Sequence, residues 1–289
     1  MGGGESTPAP APAPAPQTLI KEWRKIRWGQ KEDLQFVKGY QPFNKEVKQL
    51  RVLLYGAVGS GKSSFLNSVD SALQGRIALQ APAEANSSTT FTIERRNYKI
   101  KKGGPGTFYP FVFTDIMGLE KFDQKGVCVE DIRMDMKGHI KDGYKFHMCS
   151  PILENDPHYN KSPTLGDKTH VLVCIIDGSS LSILDVESIR KMRLVRTAAR
   201  DLRIPQLAVL TKIDVACKEV QSDVKNVYKS KYIKDMISKI SVDLGFPLNC
   251  IFPVKNYASE IETNDDIDSL ILSAMKQIIN SGEDFVNQL

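Results

Sequence analysis

The chain has 289 residues, 41% hydrophobic and 25% charged, the proportions of an ordinary globular protein with a core large enough to fold by itself. Its net charge of +5, from 39 Lys and Arg against 34 Asp and Glu, is too mild to demand an anionic partner, and no nucleic acid is expected. The cysteines Cys128, Cys149, Cys174, Cys217 and Cys250 are odd in number, widely spaced and without a CxxC pair. They suggest a reducing compartment rather than a disulfide framework or a zinc ribbon. His147, Cys149 and His158 lack the second pair that a four-ligand zinc site needs.

At the amino end, Met-Gly-Gly-Gly-Glu-Ser matches the pattern for N-myristoylation at Gly2, against a plain glycine tail. One acyl chain anchors weakly, and the basic segment with Trp23 and Trp28 offers a second signal or a docking element. Residues 7–16 are a Pro-Ala repeat, expected as extended polyproline II. Residues 1–19 therefore read as a disordered tail, 20–46 as a basic docking segment and 47–289 as the folded domain. No secretory apolar region and no apolar run near 18 residues occurs, so a cytoplasmic location is expected.

In chain order, strands are expected at 50–55, 95–100, 108–114, 170–176, 206–210 and 250–254. Helices are expected at 62–71, 129–137, 185–200, 222–242 and 266–279. Several strands are continuous apolar runs, such as Val-Leu-Val-Cys-Ile-Ile at 171–176, which suits a parallel sheet covered on both faces. The alternation of strand and helix predicts a doubly wound, mostly parallel α/β domain flanked by helices.

The strongest motif is Gly56-Ala57-Val58-Gly59-Ser60-Gly61-Lys62-Ser63, followed by Ser64. It follows an apolar strand and opens an amphipathic helix, the setting of a P-loop. Glycines let successive N–H groups converge on phosphate oxygens at a helix N-terminus. Lys62 is assigned to the β- and γ-phosphates and Ser63 to Mg²⁺. Asp115, in Asp-Ile-Met-Gly118 after the third strand, is a second candidate Mg²⁺ ligand, and the Gly118 N–H a γ-phosphate contact. Thr211-Lys212-Ile-Asp214 follows the fifth strand. There a carboxylate can accept both donors on the guanine edge, while adenine would leave it unpaired. Lys255 and Asn256, after the sixth strand, hold the place of a further base-contacting loop. Within residues 86–90, Thr89 or Thr90 is the candidate for a second Mg²⁺ hydroxyl and γ-phosphate sensor. GTP or GDP with Mg²⁺ is thus the expected ligand and cofactor.

The residue after Asp-x-x-Gly, where Ras-type GTPases carry a water-positioning Gln, is Leu119. Turnover then needs another group or a partner, or is very slow. Glu120, Asp123 and Arg133 lie nearby without a geometric reason for a role, and no catalytic residue is assigned. Residues 119–168 are long for one connection and form a candidate surface for a protein partner. Self-association is a further candidate. A nucleotide-stabilised scaffold without hydrolysis stays open beside a switch or slow GTPase. A small-substrate kinase lacks its Arg-rich lid and leaves Thr211–Asp214 unexplained.

Residues 51–69, Arg-Val-Leu-Leu-Tyr-Gly-Ala-Val-Gly-Ser-Gly-Lys-Ser-Ser-Phe-Leu-Asn-Ser-Val, resemble the P-loop segment of the interferon-induced protein 44 and 44-like family. So do residues 71–80 with Gln-Gly-Arg, 113–119, 171–179, and 244–259 with Leu-Gly-Phe. The likeness runs over about residues 45–285 in preserved order. It implies a GTP-binding, interferon-inducible protein of cytoplasmic innate antiviral defence, a role that composition and spacing do not show. Members with a long N-terminal TLDc-type domain exist. Only the Pro-Ala tail and the basic segment precede the P-loop domain here, so functions resting on that domain are not expected.

Overall fold

The computed structural model describes residues 18–29, 31–81, 94–116, 118–119, 128–147 and 150–289. Six strands, β1 (Leu50–Gly56), β2 (Arg96–Lys101), β3 (Phe108–Asp115), β4 (Val171–Asp177), β5 (Gln206–Thr211) and β6 (Ile251–Pro253), form one sheet in the order β2-β3-β1-β4-β5-β6. All neighbours are parallel except β2, which runs antiparallel to β3. The apolar runs in β1, β4 and β5 are buried on both faces, which is why they read as unbroken rather than alternating. Edge strand β2 instead exposes Arg96, Lys99 and Lys101 between buried Tyr98 and Ile100, and such charges protect an open edge from pairing.

Eight α-helices, α1 (Lys31–Gly39), α2 (Lys62–Gln74), α3 (Val129–Met136), α4 (Val186–Asp201), α5 (Ile213–Ala216), α6 (Lys218–Ser222), α7 (Lys231–Leu244) and α8 (Asp265–Val286), lie among the described residues. Helices α1, α2 and α8 pack as one group, and α3, α4 and α7 as another, the double cover that a parallel sheet requires. Among the described residues no helix is long and apolar enough to cross a membrane.

Two expectations about elements need correction. The helix predicted over 222–242 is interrupted. Asp223 ends α6 and caps a 3-10 turn, Val224–Tyr228, by accepting from Lys225 N. Ser230 then opens α7 by accepting from Ile233 N. Both residues compete for backbone donors and so act as caps. The turn exists to bury Tyr228, against which Trp23 packs edge-on at 5.0 Å. The segment expected only as a docking element also contains α1, fastened to α8 by Lys276–Asp33 at 2.7 Å and followed by Tyr40 donating to Glu283 at 2.6 Å.

The segment around Trp23 is a strap. Leu19 N and Trp23 N donate to Lys229 O and Tyr228 O, and the Arg24 guanidinium donates to Ile251 O and Leu248 O. In the region after β3, α3 is fixed by Arg95–Asp135, 2.8 Å apart and almost fully buried. Asp131 accepts from Ile152 N at 2.7 Å. Burial pushes the Asp131 carboxyl up to about 6.

Candidate functional site

The site lies where β1, β3, β4 and β5 end. Strand β1 runs into a loop whose Gly56, Gly59 and Gly61 have φ of 154°, 73° and 92°. At Gly56 a Cβ would stand 2.2 Å from Ile175 O, and at Gly61 it would press on Asn256 and Thr211. Only glycine therefore fits these two turns. Gly61 is the N-cap of α2 and supplies no side-chain cap. The first N–H groups of α2, from Lys62, Ser63 and Ser64, thus open toward the loop as an anion-facing helix end. Ser63 and Ser64 are half-buried, while Val58 and Gly59 form the exposed rim.

Lys62 is buried, and its Nζ donates to Ala57 O at 3.1 Å and Gly56 O at 3.5 Å. The ammonium thus lies across the mouth of the loop. The Ser63 hydroxyl donates to Asp115 Oδ2 at 2.9 Å. This contact is possible because β3 is the immediate neighbour of β1, with Leu54 opposite Asp115. Asp115 is 1% exposed, and its Oδ1 has no hydrogen-bond partner. Burial raises the Asp115 carboxyl above its usual value, while Lys62 and the Ser63 hydroxyl pull it down. A buried carboxylate oxygen without a partner is costly. A hard cation held between Ser63 and Asp115 would relieve that cost, so these residues fit Mg²⁺.

Gly118 comes up against the loop so closely that a Cβ would meet Val58 Cγ2 at 2.6 Å and Val58 N at 2.8 Å. Leu119 N donates to Gly56 O at 2.9 Å. The Leu119 side chain is buried, so its position orients no water.

On the opposite flank, Thr211 donates its hydroxyl to Ser60 O at 2.6 Å and Ile176 O at 3.1 Å. This locks the end of β5 to the P-loop. Lys212 adopts φ 54°. Its Nζ crosses back to donate to Gly59 O at 2.9 Å and Asp177 Oδ2 at 2.7 Å. Asp214 is half-buried two residues on, and no hydrogen bond or ion pair engages its carboxylate among the described residues. The Asn256 amide donates to Gly61 O at 3.4 Å, and its Oδ1 is buried without a partner. Lys255 turns aside to pair with Glu260 at 2.7 Å. The candidate residues from 56 to 64, Asp115, Gly118, Thr211, Lys212, Asp214 and Asn256 are thus gathered at one end of the sheet. Thr89, Thr90, Glu120 and Asp123 lie outside the described residues.

Sequence reasoning missed Asp177. It ends β4, accepts from Ser179 N and Oγ and from Lys212, and so positions the lysine. Burial works to raise its carboxyl, but the bonds from Lys212 and Ser179 win and hold it below the usual carboxylate range. The available signal was an acid at the end of an apolar strand followed by Gly-Ser-Ser, the same cue that singled out Asp115.

A P-loop after β1, an acid at the end of the adjacent β3 and one antiparallel edge strand define the fold class: a GTPase-like P-loop NTPase fold. No protein-family model matches the chain. Human interferon-induced protein 44-like is 33% identical over 93% of this chain and 60% of its own length. Interferon-induced protein 44 is 32% identical in human, over 89% of this chain and 57% of its own. The mouse protein is 33% identical over 89% and 60%. The chain is thus similar to interferon-induced protein 44 and its 44-like relative, and it spans about 60% of the length of these proteins. Among solved structures, Arabidopsis thaliana Toc33 in complex with Mg²⁺ and GMPPNP aligns over 83% of this chain and 87% of its own, at 15% identity and a TM-score of 0.47. A probable GTP-binding protein, engB, aligns over 80% and 98%, at 12% identity and a TM-score of 0.42. Both likenesses are distant, and the fold class rests on the strand order and the placement of the P-loop.

Proposed function

We propose that this chain binds GTP and GDP with Mg²⁺ and acts as a nucleotide switch or slow GTPase in a cytoplasmic, interferon-induced antiviral response. The observation that carries the nucleotide part is the buried Ser63–Asp115 pair at the open N-terminus of α2, with Asp115 Oδ1 left without a partner. Phosphate oxygens suit the N–H groups of residues 59–64, with Lys62 at the β- and γ-phosphates. Mg²⁺, held by Ser63 and Asp115 with Thr90 as a further candidate, would supply neutralisation of phosphate charge. Asp214, with its carboxylate unengaged beside the tethered Lys212, is the reader of the guanine edge, and Asn256 and Lys255 stand on the loop beside it. The immune part rests on the relatives, which are named as interferon-induced.

The buried Leu119 favours a second reading: a scaffold that nucleotide stabilises without significant hydrolysis. Protein partners reached through residues 119–168, self-association, and weak membrane attachment through an acylated Gly2 are compatible with both readings. Calorimetry with GTP, GDP and ATP, each with Mg²⁺, tests the central claim. Guanine nucleotides are expected to bind at least about tenfold tighter than ATP; equal affinities would refute the base assignment. Single-turnover hydrolysis then separates switch from scaffold.

A further inference from the structure

At the other end of β5 from the P-loop lies a groove of about 490 Å³ between α4 and the end of α7, with Gln206 in its wall. Gln206 opens β5 and Thr211 closes it, so the groove stands roughly 17 Å from the nucleotide end. Helix α4 sends Met192, Val195 and Ala199 into the core. Arg193, Arg196 and Arg200, three and four residues apart, consequently share its groove-facing flank, a row of roughly 10 Å.

The first two of these guanidiniums are held in place by other elements, and the third pairs only with its exposed neighbour on the chain. Arg193 Nε donates to Asp243 O at 2.6 Å. Arg196 donates to Gln206 Oε1 at 3.0 Å and to Leu244 O, and stacks 4.0 Å above the Phe246 ring. Gly245, at φ 77°, permits that approach, since a Cβ there would stand 2.8 Å from Arg196 Nη1. Arg200 bonds Asp201 at 3.1 Å. Two of the arginines therefore also cap the carboxyl end of α7. That role does not exhaust them. Both terminal nitrogens of Arg193, Nη2 of Arg196 and Nη1 of Arg200 have no partner among the described residues. No acidic side chain lines the groove, and the nearby Asp243 carboxylate is taken by Lys239 at 2.6 Å. Beside the arginines Val242 stands 78% exposed.

We infer that this groove docks an acidic peptide segment of a partner protein, with carboxylates on the Arg193–Arg196–Arg200 row and an aliphatic side chain against Val242. Anchored guanidiniums present planar forks that match carboxylates and lose little freedom on binding. The exposed valine gives an aliphatic residue an apolar contact that a phosphate ion cannot use. No aromatic ring lines the groove, so a nucleic-acid base has nothing to stack on. The inference is independent of the nucleotide assignment, because the groove shares no residue with that site.

The test is fluorescence anisotropy on the full chain with a labelled peptide, Ac-EELEDLEE-amide, against its uncharged isostere, Ac-QQLQNLQQ-amide. The acidic peptide is expected to bind about tenfold tighter or more than the isostere, and the double change Arg193→Glu with Arg200→Glu to remove that advantage. The charge-matched change Lys45→Glu with Lys48→Glu, on an exposed stretch elsewhere, is expected to leave binding unaltered. Val242→Ser, which leaves every arginine contact in place, should weaken it about threefold. Equal binding of the isostere overturns the proposal. So does equal loss in the Lys45/Lys48 variant, no loss with Val242→Ser, or displacement of the peptide more readily by tripolyphosphate or a short single-stranded RNA than by unlabelled peptide. The peptide comparison and Val242→Ser keep the proposal testable if the arginine variant misfolds.

Discussion

From Gly56 to Ser63 the proposed phosphate side is one unbroken stretch of chain, whereas the proposed base side is gathered from the ends of β4, β5 and β6. The phosphate side is held by its own backbone. Glycines set its turns, Lys62 folds onto its carbonyls, and Ser63 reaches only to the neighbouring strand. The base side depends on side chains that cross between elements: Thr211 to Ser60 O, Lys212 to both Gly59 O and Asp177, and Asn256 to Gly61 O. A local cradle tolerates change elsewhere in the fold. A side assembled from three loops is only as well placed as the bonds between them, and mutations should sort accordingly.

The largest effect is expected on the phosphate side. Lys62→Ala should weaken GTP binding by about two orders of magnitude or more, since it removes the charge aimed at the phosphates. Calorimetry reads the loss; retained affinity would mean that the cradle does not hold phosphate. Asp214→Asn should act on the base side alone. It is expected to lower the preference for GTP over ATP by about tenfold while leaving triphosphate binding near its original strength. A loss that is the same for GTP and ATP would break the distinction between the two sides.

The smallest effect belongs to Asp177→Ala, which frees Lys212. It should destabilise the fold by about 1 kcal/mol at neutral pH. Asp177 has a folded-state pKa below its unfolded value. Its contribution is therefore present above the usual carboxylate range and lost as pH falls through the lower folded value. Thermal unfolding of the two proteins should differ at pH 7 and converge at acid pH. A gap that stays constant down to strong acid would show that the carboxylate charge plays no part.

The parts that were legible in the sequence are those set by local chain geometry. Apolar runs announced β1, β4 and β5 because both faces of those strands are covered. The P-loop announced itself because Gly56 and Gly61 occupy turns that exclude a Cβ, and because a strand and an amphipathic helix flank it. The helix predicted over 222–242 failed for a reason outside periodicity. The Lys-rich spacing is compatible with a continuous helix, but burial of Tyr228 under Trp23 favours a break that Asp223 and Ser230 cap. Helix α1 was missed because it is short and gains its place from Glu283 and Lys276 on α8, far along the chain.

Sequence alone thus determined the fold class and the glycine-rich turn between β1 and α2, since both follow from residue types at fixed spacing along the chain. The sheet order, the pairing of Ser63 with Asp115, the tether from Lys212 to Asp177 and the arginine groove were decided only by the tertiary structure. Each joins residues that are distant along the chain, and no local pattern states which of many acids, lysines or arginines will meet once the helices have packed on the sheet.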